Sequence, residues 1–245
     1  MLFDIHSHIL PNVDDGAKNI EESISLLSVM RSQGITDVIA TPHFYPHLDS
    51  LENFKQKTTA AFDLLSETIK DKDFPNIYLG CEILYYSGIS KVSAVKNFTL
   101  NNSNYILLEL NPYLINRTLQ SELLYLRDTV GLIPIIPHIE RYYKAKGYKK
   151  FIEFVKENNI LTQVNATSFF SKRYNKTLEK LITENITTFI GTDSHSLEKR
   201  PPLMKLALEY IKDTFGDEYK TRLIENNNNL FKLIIAKGPA FYDFK

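Results

Sequence analysis

The sequence predicts an α/β protein: a parallel β-barrel with its helices on the outside. Three observations point there. About seven short apolar runs alternate with segments of helical periodicity. The runs are apolar almost without interruption, as strands buried on both faces are. Residues able to hold a metal recur where runs end: His6 with His8, His43, Glu82, Glu109, His138, and Asp193 with His195. In a barrel the C-terminal ends of all strands ring one axis, so such residues can converge. In an open doubly wound sheet, strands far apart in order could not share one site. The barrel is therefore preferred, with a metal site at the C-terminal ends of its strands.

The first strand is expected over Met1–Ile5, running into His6-Ser7-His8. Side chains i and i+2 of a strand share a face. The two imidazoles therefore stand side by side as good ligands for a divalent metal. Alone, the pair weighs evenly between a site and two surface histidines. A polar turn from Pro11 to Gly16 carries Asp15. Asn19 caps a helix, with Glu22 placed as in a capping box. Ile20, Ile24, Leu27 and Met30 form its apolar face, and Gly34 ends it.

The second strand, Asp37–Thr41, runs into Pro42-His43, and a loop with Phe44, Tyr45 and His47 follows. Ser50 opens a long helix with Phe54, Ala61, Phe62, Leu65 and Ile69 on one side. The third strand, Ile77–Cys81, ends in Glu82, and a short helix is expected between Ser87 and Leu100. The fourth, Tyr105–Leu108, ends in Glu109. A helix capped near Thr118 stops at Gly131. The fifth strand, Leu132–Ile136, ends in Pro137-His138, and a helix from Tyr148 to Asn158 follows. The sixth, Ile160–Val164, ends in Asn165. A helix from Thr177 to Glu184 leads to the seventh strand, Thr187–Gly191, which runs into Thr192-Asp193-Ser194-His195. Helices over Pro202–Phe215 and Glu218–Lys237 close the chain. The run Asn226–Asn229 reads as a helix end or a turn.

One domain over residues 1–245 is expected, since α/β barrels of this length are commonly one unit. Lys plus Arg and Asp plus Glu balance at 29 each, so no bulk basic field draws nucleic acid or anionic lipid. No segment has the pattern of a secretory leader or a membrane span, so a cytoplasmic protein without membrane insertion is expected. The single cysteine, Cys81, excludes an intramolecular disulfide framework. Ser87 stands where a C-x5-R phosphatase would place its arginine, and Cys81 falls in a strand.

His6, His8, Asp15, His43, Glu82, Glu109, His138, Asp193 and His195 each have a plain explanation when taken singly. A glutamate after a strand is usually solvated, and Asp193 can cap a helix. Together they are hard to read as coincidence, and buried carboxylates without cations would repel one another. At about four to six positions per ion, the set suits two or three metals. Histidine and carboxylate without sulfur favour manganese, iron or zinc. Metals bridged by a hydroxide supply a nucleophile at neutral pH and clamp an in-line phosphoryl displacement. Arg141, three residues after His138, is placed to reach a phosphate oxygen, and Arg200 is a second candidate. The plain reading of Arg141 is a rim salt bridge with Glu140. His47 reads as a rim residue. Tyr85, Tyr86, Tyr113, Tyr142 and Phe44 lie near strand ends, where they can flank an aromatic ring or simply pack the loops.

Taken in order, H-x-H, the D-D-G turn, T-P-H, G-C-E, L-E-L, P-H-I-E-R-Y and D-S-H resemble the PHP (polymerase and histidinol phosphatase) superfamily. Within it the chain is similar to the bacterial capsule and exopolysaccharide protein-tyrosine phosphatases. The opening D-I-H-S-H-I-L-P-x-V-D-D-G and the segment P-H-I-E-R-Y carry that likeness, which extends to about residue 202. The resemblance implies a distorted (β/α)7 barrel with a trinuclear, usually manganese-dependent site. It implies hydrolysis of phosphotyrosine by a metal-bound hydroxide, on a bacterial tyrosine kinase that controls polysaccharide synthesis. By motif, His6, His8, Glu82 and Asp193 would hold one metal. Glu82, Glu109 and His138 would hold a second, with Glu82 bridging, and Asp15, His43 and His195 a third. Arg141 and Arg200 match the arginines that grip the phosphate. A small-molecule phosphoesterase, such as a histidinol-phosphate phosphatase, would use the same ligands. A non-catalytic PHP module is the reading from another class, which an intact ligand set disfavours. The tail after residue 202 leaves room for oligomer contacts.

Overall fold

The computed structural model describes residues 2–236. Met1, at the expected start of the first strand, and Lys237, at the expected end of the last helix, lie outside the described residues. The strands are β1 (Leu2–Ser7), β2 (Ile35–Ala40), β3 (His43–Phe44), β4 (Asn76–Leu79), β5 (Glu82–Leu84), β6 (Tyr105–Glu109), β7 (Ile133–Ile136), β8 (Leu161–Asn165) and β9 (Phe189–Gly191). Every ladder between them is parallel.

The second and third expected strands are each broken in two. β1, β2 and β4 form one sheet, and β3, β5, β6, β7, β8 and β9 the other. One break falls at Thr41-Pro42, where proline has no N–H for a ladder. The other falls at Gly80-Cys81. A Cβ on Gly80 would stand 2.8 Å from Ile39 Cγ2 and 2.9 Å from Leu100 Cδ2, so any larger residue would make those side chains shift. Past the breaks the chains re-pair with His43 opposite Glu82, which brings those two side chains together.

The seam lies between β1 and the end of β9. Ser7 bridges Ser194, Asp193 N–H donates to His6 O at 2.8 Å, and His8 N–H donates to Ser194 O at 2.9 Å. Buried Asp4 accepts from Thr192 N–H at 2.9 Å and from its hydroxyl at 2.6 Å. With each broken pair counted as one strand, the architecture is the distorted (β/α)7 barrel of the PHP type.

Helices α1 (Ile20–Ser32), α2 (Leu51–Ile69), α3 (Arg117–Tyr125), α4 (Tyr148–Glu157), α5 (Asn175–Thr183), α6 (Met204–Phe215) and α7 (Asp217–Ile235) surround it. Asn19 and Ser50 cap α1 and α2 as expected, accepting from Glu22 N–H at 2.9 Å and Asn53 N–H at 3.1 Å. The capping box is incomplete, because the Glu22 carboxylate accepts from Lys18 N–H. The cap of α3 is Asn116 rather than Thr118, accepting from Leu119 N–H at 3.1 Å. The helix expected between Ser87 and Leu100 is a series of short 3-10 turns. They are pinned by buried Glu122, which accepts from Tyr85 Oη, Gly88 N and Ser90 Oγ at 2.6, 2.8 and 3.0 Å.

Most of the core lies between the strands and the outer helices. A second core fills the barrel: Phe3, Ile5, Ile39, Leu107, Ile135 and Phe189 meet Leu230, Phe231 and Ile234 of α7. Asn227 is neither helix end nor turn. It is buried mid-α7, its amide donating to Phe3 O at 2.9 Å and Ile190 O at 2.7 Å. With α7 plugging the floor, the C-terminal mouth is left for chemistry. Among the described residues no helix is long and apolar enough to cross a membrane.

Candidate metal centre

The mouth gathers all nine candidate ligands into one connected cluster. Glu82 is at its middle and fully buried. Its Oε2 lies 3.0 Å from His43 Nδ1, 3.2 Å from His6 Nε2 and 3.4 Å from His8 Nε2, and its Oε1 lies 2.9 Å from His138 Nε2. Glu109 stands 3.7 Å from His138 and 3.9 Å from His43. Asp193 Oδ1 is 3.4 Å from His8 Nε2 and 3.5 Å from His6 Nε2. Asp15 is exposed at the rim, 3.3 Å from His195 Nε2 and 3.5 Å from His43 Nε2. Three groups have ligand atoms close enough to share an ion: His6, His8 and Asp193; His43, Glu82 and Glu109; and His8, Asp15, His43 and His195. His8 and His43 each fall within two groups, more sharing than the motif assignment gave them. His138 and Asp193 are held at φ 37° and 49°, left-handed backbone that is uncommon for non-glycine residues, although Asn, Asp and His enter it more readily than most.

Four of the imidazoles have a partner behind them. His6 Nδ1 meets Gln163 Oε1 at 3.1 Å, His8 Nδ1 meets Asp14 Oδ2 at 2.7 Å, and His195 Nδ1 meets Asp193 O at 2.9 Å. His138 Nδ1 meets the Tyr142 hydroxyl at 3.1 Å, and Leu110 N–H donates to that same oxygen at 3.0 Å. A proton on Nδ1 would leave each Nε2 free to face an ion, the tautomer a metal needs. Burial opposes the charge on His6 and His8, but the surrounding carboxylates hold both above the usual imidazole range. Asp14 also accepts from His43 N–H at 2.9 Å, so one carboxylate orients two ligands. Sequence reasoning missed Asp14 and Gln163 in these roles. The signals were Asp14 beside Asp15 in the D-D-G turn, and Gln163 two residues before Asn165 on one strand face.

The electrostatics fit a cationic guest. Burial pushes the Glu82 carboxyl up, but His6, His43 and His138 together hold it well below the usual range. Burial likewise opposes ionisation of Asp193, and His6, His8 and Arg141 outweigh it. Glu109 is pushed up to about 7, first by burial and then by the Glu82 charge. Burial brings His138 down to about 4, so it is neutral. Among the described residues, buried His195 Nε2 and His43 Nδ1 have no hydrogen-bond partner. Aimed imidazole nitrogens, crowded carboxylates and no sulfur suit divalent cations of borderline or hard character. Cys81 is fully buried, and burial pushes its thiol up, away from thiolate chemistry.

The arginines reach the same centre. Arg141 Nη2 contacts Asp193 Oδ2 at 2.6 Å instead of pairing with Glu140. Glu140 is buried, its Oε1 taken by Ser168 Oγ at 2.6 Å and Asn165 N at 3.2 Å. Arg200 Nη2 contacts Asp15 Oδ2 at 2.6 Å, with Nη1 3.7 Å from Asp193. Of the aromatics, Tyr85, Tyr142 and Phe44 are buried, Tyr85 bonded to Glu122 and Tyr142 to His138, and Tyr113 is 94% exposed. Tyr45 instead stacks on His43 with ring centroids 5.0 Å apart, half-buried at the mouth. His47 is exposed on the same loop.

A (β/α)7 barrel with a histidine–carboxylate cluster at its C-terminal mouth defines a protein of the PHP class. Within that class, the chain belongs to the CpsB/CapC family of capsular polysaccharide synthesis, whose model it matches over residues 2–232. It is 34% identical to CapC of Staphylococcus aureus, covering 100% of this chain and 97% of that protein. It is 29% identical to the tyrosine-protein phosphatase CpsB of Streptococcus agalactiae serotype III, over 94% and 98%. It superposes with TM-score 0.84 and 28% identity on a chain from the crystal structures of Bacillus subtilis YwqE and Streptococcus pneumoniae CpsB, described as metal-dependent tyrosine phosphatases. That match covers 94% of each chain.

Proposed function

We propose that this protein is a metal-dependent protein-tyrosine phosphatase of capsular or exopolysaccharide synthesis, acting on a bacterial tyrosine kinase. The observation that carries the reading is the convergence of imidazoles and carboxylates on Glu82 with two arginines over them. Three divalent ions, manganese foremost, suit the ligand groups. His6, His8, Glu82 and Asp193 would hold one, Glu82, Glu109 and His138 a second, and Asp15, His43 and His195 a third. When bound, such ions supply Lewis acidity and activate water for attack on phosphorus.

The chain's own residues do the rest. Asp14, Gln163, Tyr142 and the Asp193 carbonyl hold the imidazoles in the ligating tautomer. Arg141 and Arg200 hold the phosphoryl oxygens, with planar forks that favour the charge building there. Tyr45, stacked on His43, walls the place where the substrate ring enters. No side chain is assigned as general acid. A tyrosine has a pKa of about 10, so its phenolate leaves more readily than an alkoxide.

The test is a panel of phosphotyrosine peptides, phosphoserine peptides and small phosphomonoesters, histidinol phosphate among them. Phosphotyrosine peptides should be preferred, activity should vanish on chelation and return with Mn²⁺, and Cys81→Ser should stay active. Preference for a small phosphomonoester, or activity that survives chelation, would overturn the reading.

A further inference from the structure

The loops after β7 and β8, with the first turns of α4 and α5 that follow them, carry charge unlike the rest of the chain. Residues 141–150 read Arg-Tyr-Tyr-Lys-Ala-Lys-Gly-Tyr-Lys-Lys, and residues 171–176 read Ser-Lys-Arg-Tyr-Asn-Lys. Neither contains an acidic residue, in a chain whose opposite charges balance at 29 each. The two loops form one surface. The Tyr143 and Tyr174 rings meet edge to face at 5.9 Å. The Arg173 guanidinium lies 5.7 and 5.4 Å from their centroids, and the Lys144 ammonium lies 5.6 Å from that of Tyr143.

This surface is rooted in the metal centre. Both loops leave the C-terminal ends of their strands, the end of the barrel where the ligands gather. Arg141, which opens the first loop, contacts Asp193 Oδ2 at 2.6 Å. Asn165, at the root of the second, donates to the same oxygen at 2.6 Å. Lys144, Lys146, Lys149, Lys150, Lys172, Arg173 and Lys176 are all exposed. None of them forms an ion pair among the described residues, whereas Lys156 of α4 pairs with Glu184 at 2.8 Å. The exposed Tyr143 hydroxyl is held below the usual phenol range by its bond from Arg173 and by Lys144, as a positive surface requires.

We propose that this rim is a docking surface for an acidic segment of the substrate protein, a run of aspartate and glutamate flanking the phosphotyrosine. The inference rests on the phosphatase reading and names what lies beside the scissile group. All the unpaired cations but Arg173 are lysines on flexible stems, spread along two loops and the first turns of α4 and α5. A built phosphate pocket uses arginine forks around a point, and Arg141 and Arg200 already take that part. Single-stranded nucleic acid needs open ring faces for stacking. Here Tyr143 and Tyr174 are engaged by each other and by cations. A diffuse row of ammonium groups suits carboxylates spread along an extended chain, and it speeds encounter as well as holding the complex.

The experiment uses two peptides with the same central phosphotyrosine, one flanked by Asp and Glu, the other by Ser and Gln. With the wild-type protein the acidic peptide should show a KM on the order of ten-fold lower at equal kcat, an advantage lost at about 0.5 M salt. The variant Lys149→Ser/Lys150→Ser/Lys172→Ser/Lys176→Ser should lose that advantage while turning over the neutral peptide at the wild-type rate. Equal KM values in the wild type, or an advantage that survives in the variant, would overturn the proposal. So would an advantage that needs a second phosphotyrosine in place of carboxylates. Displacement of the labelled acidic peptide by a single-stranded oligonucleotide more readily than by unlabelled acidic peptide of equal charge would overturn it too. Fluorescence anisotropy of an unphosphorylated acidic peptide tests the rim without catalysis. Binding to the wild type but not the variant, with no phosphopeptide hydrolysed, supports the rim and rejects the phosphatase.

Discussion

Arg141 and Asp193 stand 52 residues apart in sequence and meet at 2.6 Å, a guanidinium against a carboxylate that also faces His6 and His8. An arginine there is partly shielded and charged, with a fork that can pass from the carboxylate to a phosphoryl oxygen. Arg141→Ala should keep its full metal load and lose on the order of 10²-fold in kcat/KM, as other lost transition-state donors do. Metal analysis beside steady-state kinetics on a phosphotyrosine peptide checks this. Wild-type turnover with the metals in place would remove Arg141 from phosphate binding.

Glu82 touches four imidazoles with two oxygens, whereas His43 sits at one side of the cluster. Glu82→Ala should therefore release more metal per chain than His43→Ala. Elemental analysis of both variants after dialysis reads the difference. Equal losses would mean that Glu82 does not bridge.

Tyr142 Oη accepts from Leu110 N–H and also bonds His138 Nδ1, so Tyr142→Phe takes a buried partner from both at once. His138 loses the partner that sets its tautomer. Metal affinity should fall about 10- to 100-fold, as for other partners standing behind a metal ligand. Titration with Mn²⁺ followed by calorimetry reads it, and unchanged affinity would leave Tyr142 a packing residue only.

Glu140 gives a pH signature. Burial raises its carboxyl from 4.5 to about 6, against the pull of Ser168 and Arg141. The folded state therefore holds this proton at pH values where the unfolded chain has released it. Stability falls as pH rises from about 4.5 through 6 and is flat above. Glu140→Gln keeps a neutral side chain at every pH. It should be more stable than wild type at pH 7, by about 2 kcal/mol at most, with the gap closing towards pH 4.5. Urea unfolding at several pH values measures the gap, and one that stays constant with pH would exonerate Glu140.

The candidate ligands were legible because they obey local rules: alternation along β1, and a polar residue wherever an apolar run stops. The supporting residues follow no such rule. Gln163 lies inside a strand and looks like any interior polar residue until His6 is seen 3.1 Å away. The run at Asn226–Asn229 carries the composition of a turn. Asn227 is instead buried in α7, because its amide partners lie on β1 and β9, which local sequence cannot reveal. The break in the third strand likewise falls at Gly80, where Ile39 and Leu100 leave little room for a Cβ, and those neighbours come from other parts of the chain. The cap expected at Thr118 falls two residues earlier, at Asn116, whose side chain accepts from Leu119 N–H.

The seam between the first and last strands also sets a clock on synthesis. Asp4 and Thr192 are 188 residues apart, and His6 and His8 meet Asp193 only when that seam forms. A ribosome adding about 5–20 residues per second emits the first ligands long before the last. Until then the growing chain holds His6 and His8 without the carboxylate that completes their group, whereas His43, Glu82 and Glu109 are all made by residue 109. Ions that lock the finished seam would favour the folded barrel by mass action. Closure of the barrel is in this sense a late event, and a ribosome stalled before β9 leaves His6 and His8 without Asp193.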